Sequence, residues 1–160
     1  MNFLTQTINW NKVKIYAVSI IVPLVLGAII GLLTSGSMDY QMLNQPPLAP
    51  PSVLFPIAWT ILYALMGVSD GMLKAKNLYD STLSALYYAQ LAVNLLWPVA
   101  FFVLKWRLFA FFWILLLDAL VIAMTVGFYR RDKTAGLLQI PYVAWVLFAT
   151  YLNLGIVILN

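Results

Sequence analysis

Asp118 and three stripes of aromatic and amide side chains are the residues in this sequence with chemical potential. Tyr87, Gln90, Asn94 and Trp97 fall at i, i+3, i+7 and i+10, which on a helix sets them along one face. Pro141, Tyr142, Trp145, Ala149 and Asn153 repeat that spacing, and Phe55, Trp59, Leu62 and Met66 supply a more apolar third stripe. Flat aromatic walls with a few amides and hydroxyls suit a large, planar, mostly apolar ligand. The competing reading is that the amides bridge helices and the rings simply pack. Acid–base and metal chemistry find little support, because the chain has no His, no Cys and no Glu. Five scattered Asp do not compose a hard-metal cage, so no catalytic residue, metal or cofactor is expected.

The elements that must position these stripes follow from composition. The chain is 64% apolar and only 9% charged, against about 45–50% and about 25% in an ordinary soluble domain. Its charges interrupt long uncharged runs, which predict membrane-spanning helices over about residues 15–33, 52–73, 81–104, 108–129 and 134–159. In lipid such runs must be helical, since each backbone group needs an internal partner. The expected fold is therefore all-α, a single integral membrane bundle of five transmembrane helices. The first run follows Lys12 and Lys14 but is too long for the apolar core of a signal peptide. The net charge of +4 sits in small clusters at span ends, with no basic stripe interleaved with aromatics, so nucleic acid is not an expected partner.

Five spans gather Lys12, Lys14, Lys74, Lys76, Arg130, Arg131 and Lys133 on one side, against Lys105 and Arg107 on the other. The positive-inside rule then places the N-terminus in the cytoplasm and the C-terminus outside. The long connection, residues 34–51, lies outside as well. Its Pro46-Pro47-Leu48-Ala49-Pro50-Pro51 run favours stiff, extended backbone, as a lid or as a passive tether.

Asp118 falls in mid-span, where an ionised carboxylate costs about 2.5 to 3.5 kcal/mol. With no Lys or Arg at that depth, it is expected to be protonated, or hydrogen-bonded to Asn, Gln, Tyr or Trp of neighbouring helices; a proton relay is the sharper alternative. Trp10 and Trp106 read as interfacial anchors. Gly27 with Gly31, and the strip Ser81, Ala85, Ala89 and Ala92, would let helices approach closely, within one chain or between two.

The loop prolines, Phe55, the run Trp59-Thr60-Ile61-Leu62-Tyr63, Gln90-Leu91-Ala92-Val93-Asn94 with Trp97, and Pro141-Tyr142-Val143-Ala144-Trp145 with Ala149 and Asn153 together resemble the translocator protein family, also called tryptophan-rich sensory proteins. The resemblance implies a five-helix bundle, commonly a homodimer, whose cavity is closed by the first loop. Implied ligands are porphyrins and related tetrapyrroles, with sterol-like and isoquinoline compounds further possibilities, and implied roles are sensory or regulatory. Phe55, Trp59, Tyr63, Asn94, Trp97, Tyr142, Trp145 and Ala149 would line the cavity, and Tyr40, Pro46, Pro47, Pro50 and Pro51 would belong to the lid. An alternative role is light-dependent oxidation of bound protoporphyrin, with the tryptophans as redox partners. A small exporter fits less well, since such proteins depend on a membrane-embedded Glu. Three departures stand out. Asp39 replaces a tryptophan before Tyr40, which predicts weaker lid stacking. No basic residue follows Tyr151, so the C-terminal sterol-recognition pattern is missing. Val126, Tyr129 and Arg131 match such a pattern only formally.

Overall fold

A computed structural model describes residues 9–160. Helices make up the fold, with no strand among the described residues: α1 (Trp10–Ser35), α2 (Leu54–Ala75), α3 (Ser81–Pro98), α4 (Arg107–Arg131), a short α5 (Lys133–Leu137) and α6 (Ile140–Leu159). Five helical stretches are long and apolar enough to cross a bilayer, with α5 and α6 together making the fifth. The protein is a multi-pass integral membrane bundle.

Apolar runs locate the spans, whereas capping chemistry sets the ends. The Asn9 side chain accepts from the N–H groups of Asn11 and Lys12, so α1 starts well before its uncharged segment. Asp80 caps α3 through the N–H of Leu83 at 2.8 Å, and Asp132 caps α5 through that of Ala135 at 3.0 Å. Two stretches expected to be continuous are broken. After Pro98 the third span widens into a π-helical turn, Val99–Val103, in which the Leu104 N–H reaches the Val99 carbonyl. The fifth is interrupted at Leu138–Gln139, and α6 resumes with Pro141 in its first turn, where a missing N–H costs nothing.

α1 lies along α2, and α4 lies between α3 and α6. At the α1–α2 contact a Cβ on Gly67 would meet the Ile20 Cα at 2.5 Å, so only glycine permits that approach. Gly27 faces the Tyr63 ring, whereas Gly31 faces open space, so only the first of that pair packs internally. Ser81, Ala85, Ala89 and Ala92 are all exposed on α3 and pack nothing inside the bundle. Polarity is arranged inside out, as lipid requires: Ser69, Asp70, Gln90, Asn94, Asp118, Gln139 and Asn153 are buried, while Val18, Ile21, Val25, Ile29 and Leu32 of α1 face outward. Trp10 and Trp106 are exposed at span ends.

Loops close each end of the bundle. At one, Lys76 pairs with Asp132 and Arg131 with Asp80, tying the α2–α3 turn to the α4–α5 junction. At the other, the long first loop is stapled to α6. The Asn44 N–H donates to Asn160 Oδ1 at 3.0 Å, its side-chain amide donates to the Leu159 carbonyl, and the Tyr151 hydroxyl donates to the Pro47 carbonyl at 2.8 Å. Buried Pro46 sits where a side chain on Gly155 would clash at 2.5 Å.

The proline run is not uniformly extended. Leu48 adopts φ 66° and the Ala49 N–H returns to the Pro46 carbonyl, a turn that lets Pro46 dock while Leu48 points outward. Asp39 pairs with Arg107 at 2.7 Å and Lys105 at 3.5 Å, fixing the loop by charge.

Candidate functional site

The three stripes meet. α2 contributes Trp59 and Tyr63, α3 contributes Gln90 and Asn94, and α6 contributes Tyr142 and Trp145. A directional hydrogen-bond chain links them. The Tyr63 hydroxyl donates to Asn94 Oδ1 at 2.7 Å, the Asn94 amide donates to the Tyr142 hydroxyl at 2.7 Å, and that hydroxyl donates to Gln90 Oε1 at 2.7 Å. Gln90 completes it with Nε2 toward the Met66 sulfur at 3.3 Å. Each hydroxyl hydrogen is used once, and Tyr142, Gln90 and Asn94 are nearly inaccessible. This is the bonding that buried polar groups demand in a bilayer.

Aromatic rings surround the chain. Trp59 lies 5.6 Å from Tyr63 and meets the Tyr142 ring edge-on at 6.2 Å. Phe55 meets Trp145 edge-on at 6.0 Å and Tyr40 at 5.0 Å, so the loop tyrosine reaches the same aromatic row. Burial pushes the Tyr40 phenol above its ordinary pKa. Tyr40 is thus inserted despite the neighbouring Asp39. The Trp145 indole N–H is buried and has no partner among the described residues, leaving one donor unspent beside the aromatic walls. Ala149 is partly buried one turn beyond Trp145, against the same core.

Trp97 stands somewhat apart. Its N–H contacts Asn153 Oδ1 and the Ala110 carbonyl, both at 3.2 Å, and its ring stacks on Phe101 at 4.9 Å. Asn153 in turn donates to the Arg107 carbonyl at 3.1 Å. Trp97 therefore joins α3, α4 and α6 near the loop-covered end. Of the loop prolines, Pro46 is buried, Pro50 partly so, and Pro47 and Pro51 are exposed.

Asp118 is buried on α4, and its Oδ2 lies 2.8 Å from the Thr150 hydroxyl of α6. The partner is a threonine, not the Asn, Gln, Tyr or Trp expected, because Thr150 is the polar α6 side chain that packs directly across from it. Sequence reading also passed over Asp70, which is fully buried, pairs with Lys74 at 2.6 Å and carries the ammonium beneath the Tyr79, Tyr87 and Tyr88 rings. The i, i+4 spacing of Asp70 and Lys74 was the available signal. No cluster of metal-ligating side chains occurs among the described residues.

Residues 19–159 match the model of the TspO/MBR family. The chain belongs to that family. A tryptophan-rich protein TspO of Archaeoglobus fulgidus is 37% identical over 153 residues, covering 94% of this chain and 99% of that one. The tryptophan-rich sensory protein of Cereibacter sphaeroides is 38% identical, with 76% of each chain covered. The human translocator protein is 35% identical over 71% of this chain and 70% of its own. The family match contains every residue of the hydrogen-bond chain, the aromatic walls and the loop.

Proposed function

We propose that this TspO/MBR protein is a membrane receptor that holds a porphyrin or related tetrapyrrole among α2, α3 and α6, with a sensory or regulatory role. The observation that carries the reading is the unspent Trp145 N–H beside aromatic walls built from Phe55, Trp59, Tyr63 and Tyr142. A planar macrocycle stacks on such rings, and its peripheral carboxylate or carbonyl would take the free indole donor. The names of relatives, sensory in one case and translocator in another, favour a ligand-responsive protein. The Tyr40–Phe55 contact supports reading the first loop as the lid of that site. Sterol-like or isoquinoline ligands would use the apolar walls alone. The exposed strip of Ser81, Ala85, Ala89 and Ala92 offers a second copy a close helix contact, supporting a homodimer.

The test is titration of purified protein with protoporphyrin, in darkness and under illumination. The reading expects saturable quenching of tryptophan fluorescence in the dark with the porphyrin absorption bands preserved. Bands that bleach only in light and only with protein present would favour oxidative degradation. Quenching that stays linear and unsaturated would refute a defined site.

A further inference from the structure

Between the start of α4 and the end of α6 is a groove of about 450 Å³. Lys105 and Arg107 bring two cations and Asn160 a polar side chain to it, while Trp106, Leu108, Phe109, Ile156 and Val157 supply its apolar wall. The exposed side chains of Leu108, Phe112, Leu115 and Leu116 continue that wall down α4. Exposed Trp106 marks the membrane–water boundary at the same level.

The electrostatics of this groove are left unbalanced. Lys105 and Arg107 share one carboxylate oxygen, Asp39 Oδ2, so two positive charges face one negative. Arg107 engages it through one terminal nitrogen. Its Nε is buried without a partner among the described residues, and so is Asp39 Oδ1, so the bidentate pairing that arginine favours is not made. The first N–H groups of α4 have no side-chain cap and add positive potential. In the last turn of α6 the carbonyls of Ile156 and Leu159 accept from the side-chain amides of Asn160 and Asn44.

We infer that this groove binds the phosphate of an anionic phospholipid, with Lys105 and Arg107 on the headgroup and an acyl chain along the apolar wall. A free phosphate would satisfy the cations alone. The apolar wall, continuous with the lipid-facing side of α4, selects the lipid. The phosphate and Asp39 compete for the same two cations, so occupancy loosens the loop's ionic anchor. Lipid charge is thereby coupled to the segment that carries Tyr40. The inference stands apart from the porphyrin reading, since none of the groove residues belongs to the aromatic site.

The test is native mass spectrometry of the protein in neutral detergent, counting retained phosphatidylglycerol against phosphatidylcholine, with a thermal melt of each variant to confirm folding. Wild type is expected to prefer phosphatidylglycerol. Lys105→Gln and Arg107→Gln should each weaken that preference about fivefold, the effect of one basic residue near a lipid phosphate. Asp39→Asn should strengthen it, and Arg130→Gln, at the other end of the bundle, should leave it unchanged. Equal retention of the two lipids, or a preference untouched by both Lys105→Gln and Arg107→Gln, would overturn the inference. Glycerol 3-phosphate displacing phosphatidylglycerol at equal concentration would overturn it too, by showing a free-phosphate site.

Discussion

The Asn94 amide donates to the Tyr142 hydroxyl at 2.7 Å, and with the bond from that hydroxyl to Gln90 this contact joins the third span to the fifth at the centre of the polar chain. The Tyr142 hydroxyl is used twice, accepting from Asn94 and donating to Gln90, whereas the Tyr63 hydroxyl is used once. Tyr142→Phe strands two buried partners and Tyr63→Phe strands one. An interhelical hydrogen bond in a bilayer averages about 0.6 kcal/mol, and an orphaned buried group costs about 1–3 kcal/mol. Thermal unfolding in detergent should therefore show Tyr142→Phe clearly more destabilised than Tyr63→Phe. Equal melting points would mean that the chain is not the structural link described.

Asp118 and Thr150 define a second prediction. The Thr150 hydroxyl has one hydrogen but two acceptors in range, Asp118 Oδ2 at 2.8 Å and the Val146 carbonyl at 3.0 Å. If it is spent on Val146, as helical threonines commonly do, the acid must be the donor to Thr150. An asparagine is nearly isosteric and likewise offers one carbonyl acceptor and an amide that can donate to Thr150. Asp118→Asn should keep both the melting temperature and protoporphyrin affinity, and the measurement is a paired melt and titration. Binding lost in a variant of unchanged stability would point to a proton-relay role instead.

Asp132 predicts a pH dependence. The Lys76 ammonium, and then the Ala135 N–H, hold its carboxyl below the usual carboxylate range. A folded-state pKa below the unfolded value adds stability that is present above the unfolded value, near pH 4, and is lost as pH falls through the folded one. Asp132→Asn retains a capping oxygen but not the charge. It should lower the melting temperature slightly at pH 7, by the small amount an exposed ion pair contributes, about 0–1 kcal/mol. The gap from wild type should close as pH falls below the folded-state value. A gap that persists there would place the effect in the cap rather than the charge.

Orientation can be read directly, because the chain contains no cysteine. Single cysteines at Asn77, in the α2–α3 turn, and at Ser37, in the first loop, report opposite ends of the bundle. The excess of basic residues at the Asn77 end predicts that an impermeant maleimide applied to intact cells labels the Ser37 position and spares Asn77. The reverse pattern would invert the topology.

Much of this architecture was legible in the sequence because lipid leaves few options: uncharged runs must be helices, and polar faces must turn inward. The stripe Tyr87, Gln90, Asn94, Trp97 was readable for that reason, and two of its members lie in the hydrogen-bond chain. What stayed hidden depends on partners distant in sequence. Nothing local to Asp39 names Arg107, 68 residues away, as its partner. Nothing local to Asp118 selects Thr150 over the other polar side chains of α6. The turn at Leu48, with φ 66°, was masked by prolines that favour extended backbone, and forms because Pro46 docks against Gly155.

The most direct test of the aromatic site removes one hydrogen-bond donor and leaves a ring in place. Trp145→Phe keeps an aromatic wall beside Phe55 but deletes the buried N–H that has no partner among the described residues. A donor spent on a ligand is worth about 0.5–1.5 kcal/mol net, so protoporphyrin affinity in the dark, followed by its own absorption bands, should fall roughly threefold to tenfold. Trp10→Phe, at an exposed span end, should bind as wild type does. Unchanged affinity in Trp145→Phe, with saturable binding in all three proteins, would contradict the account and move the ligand away from the aromatic site.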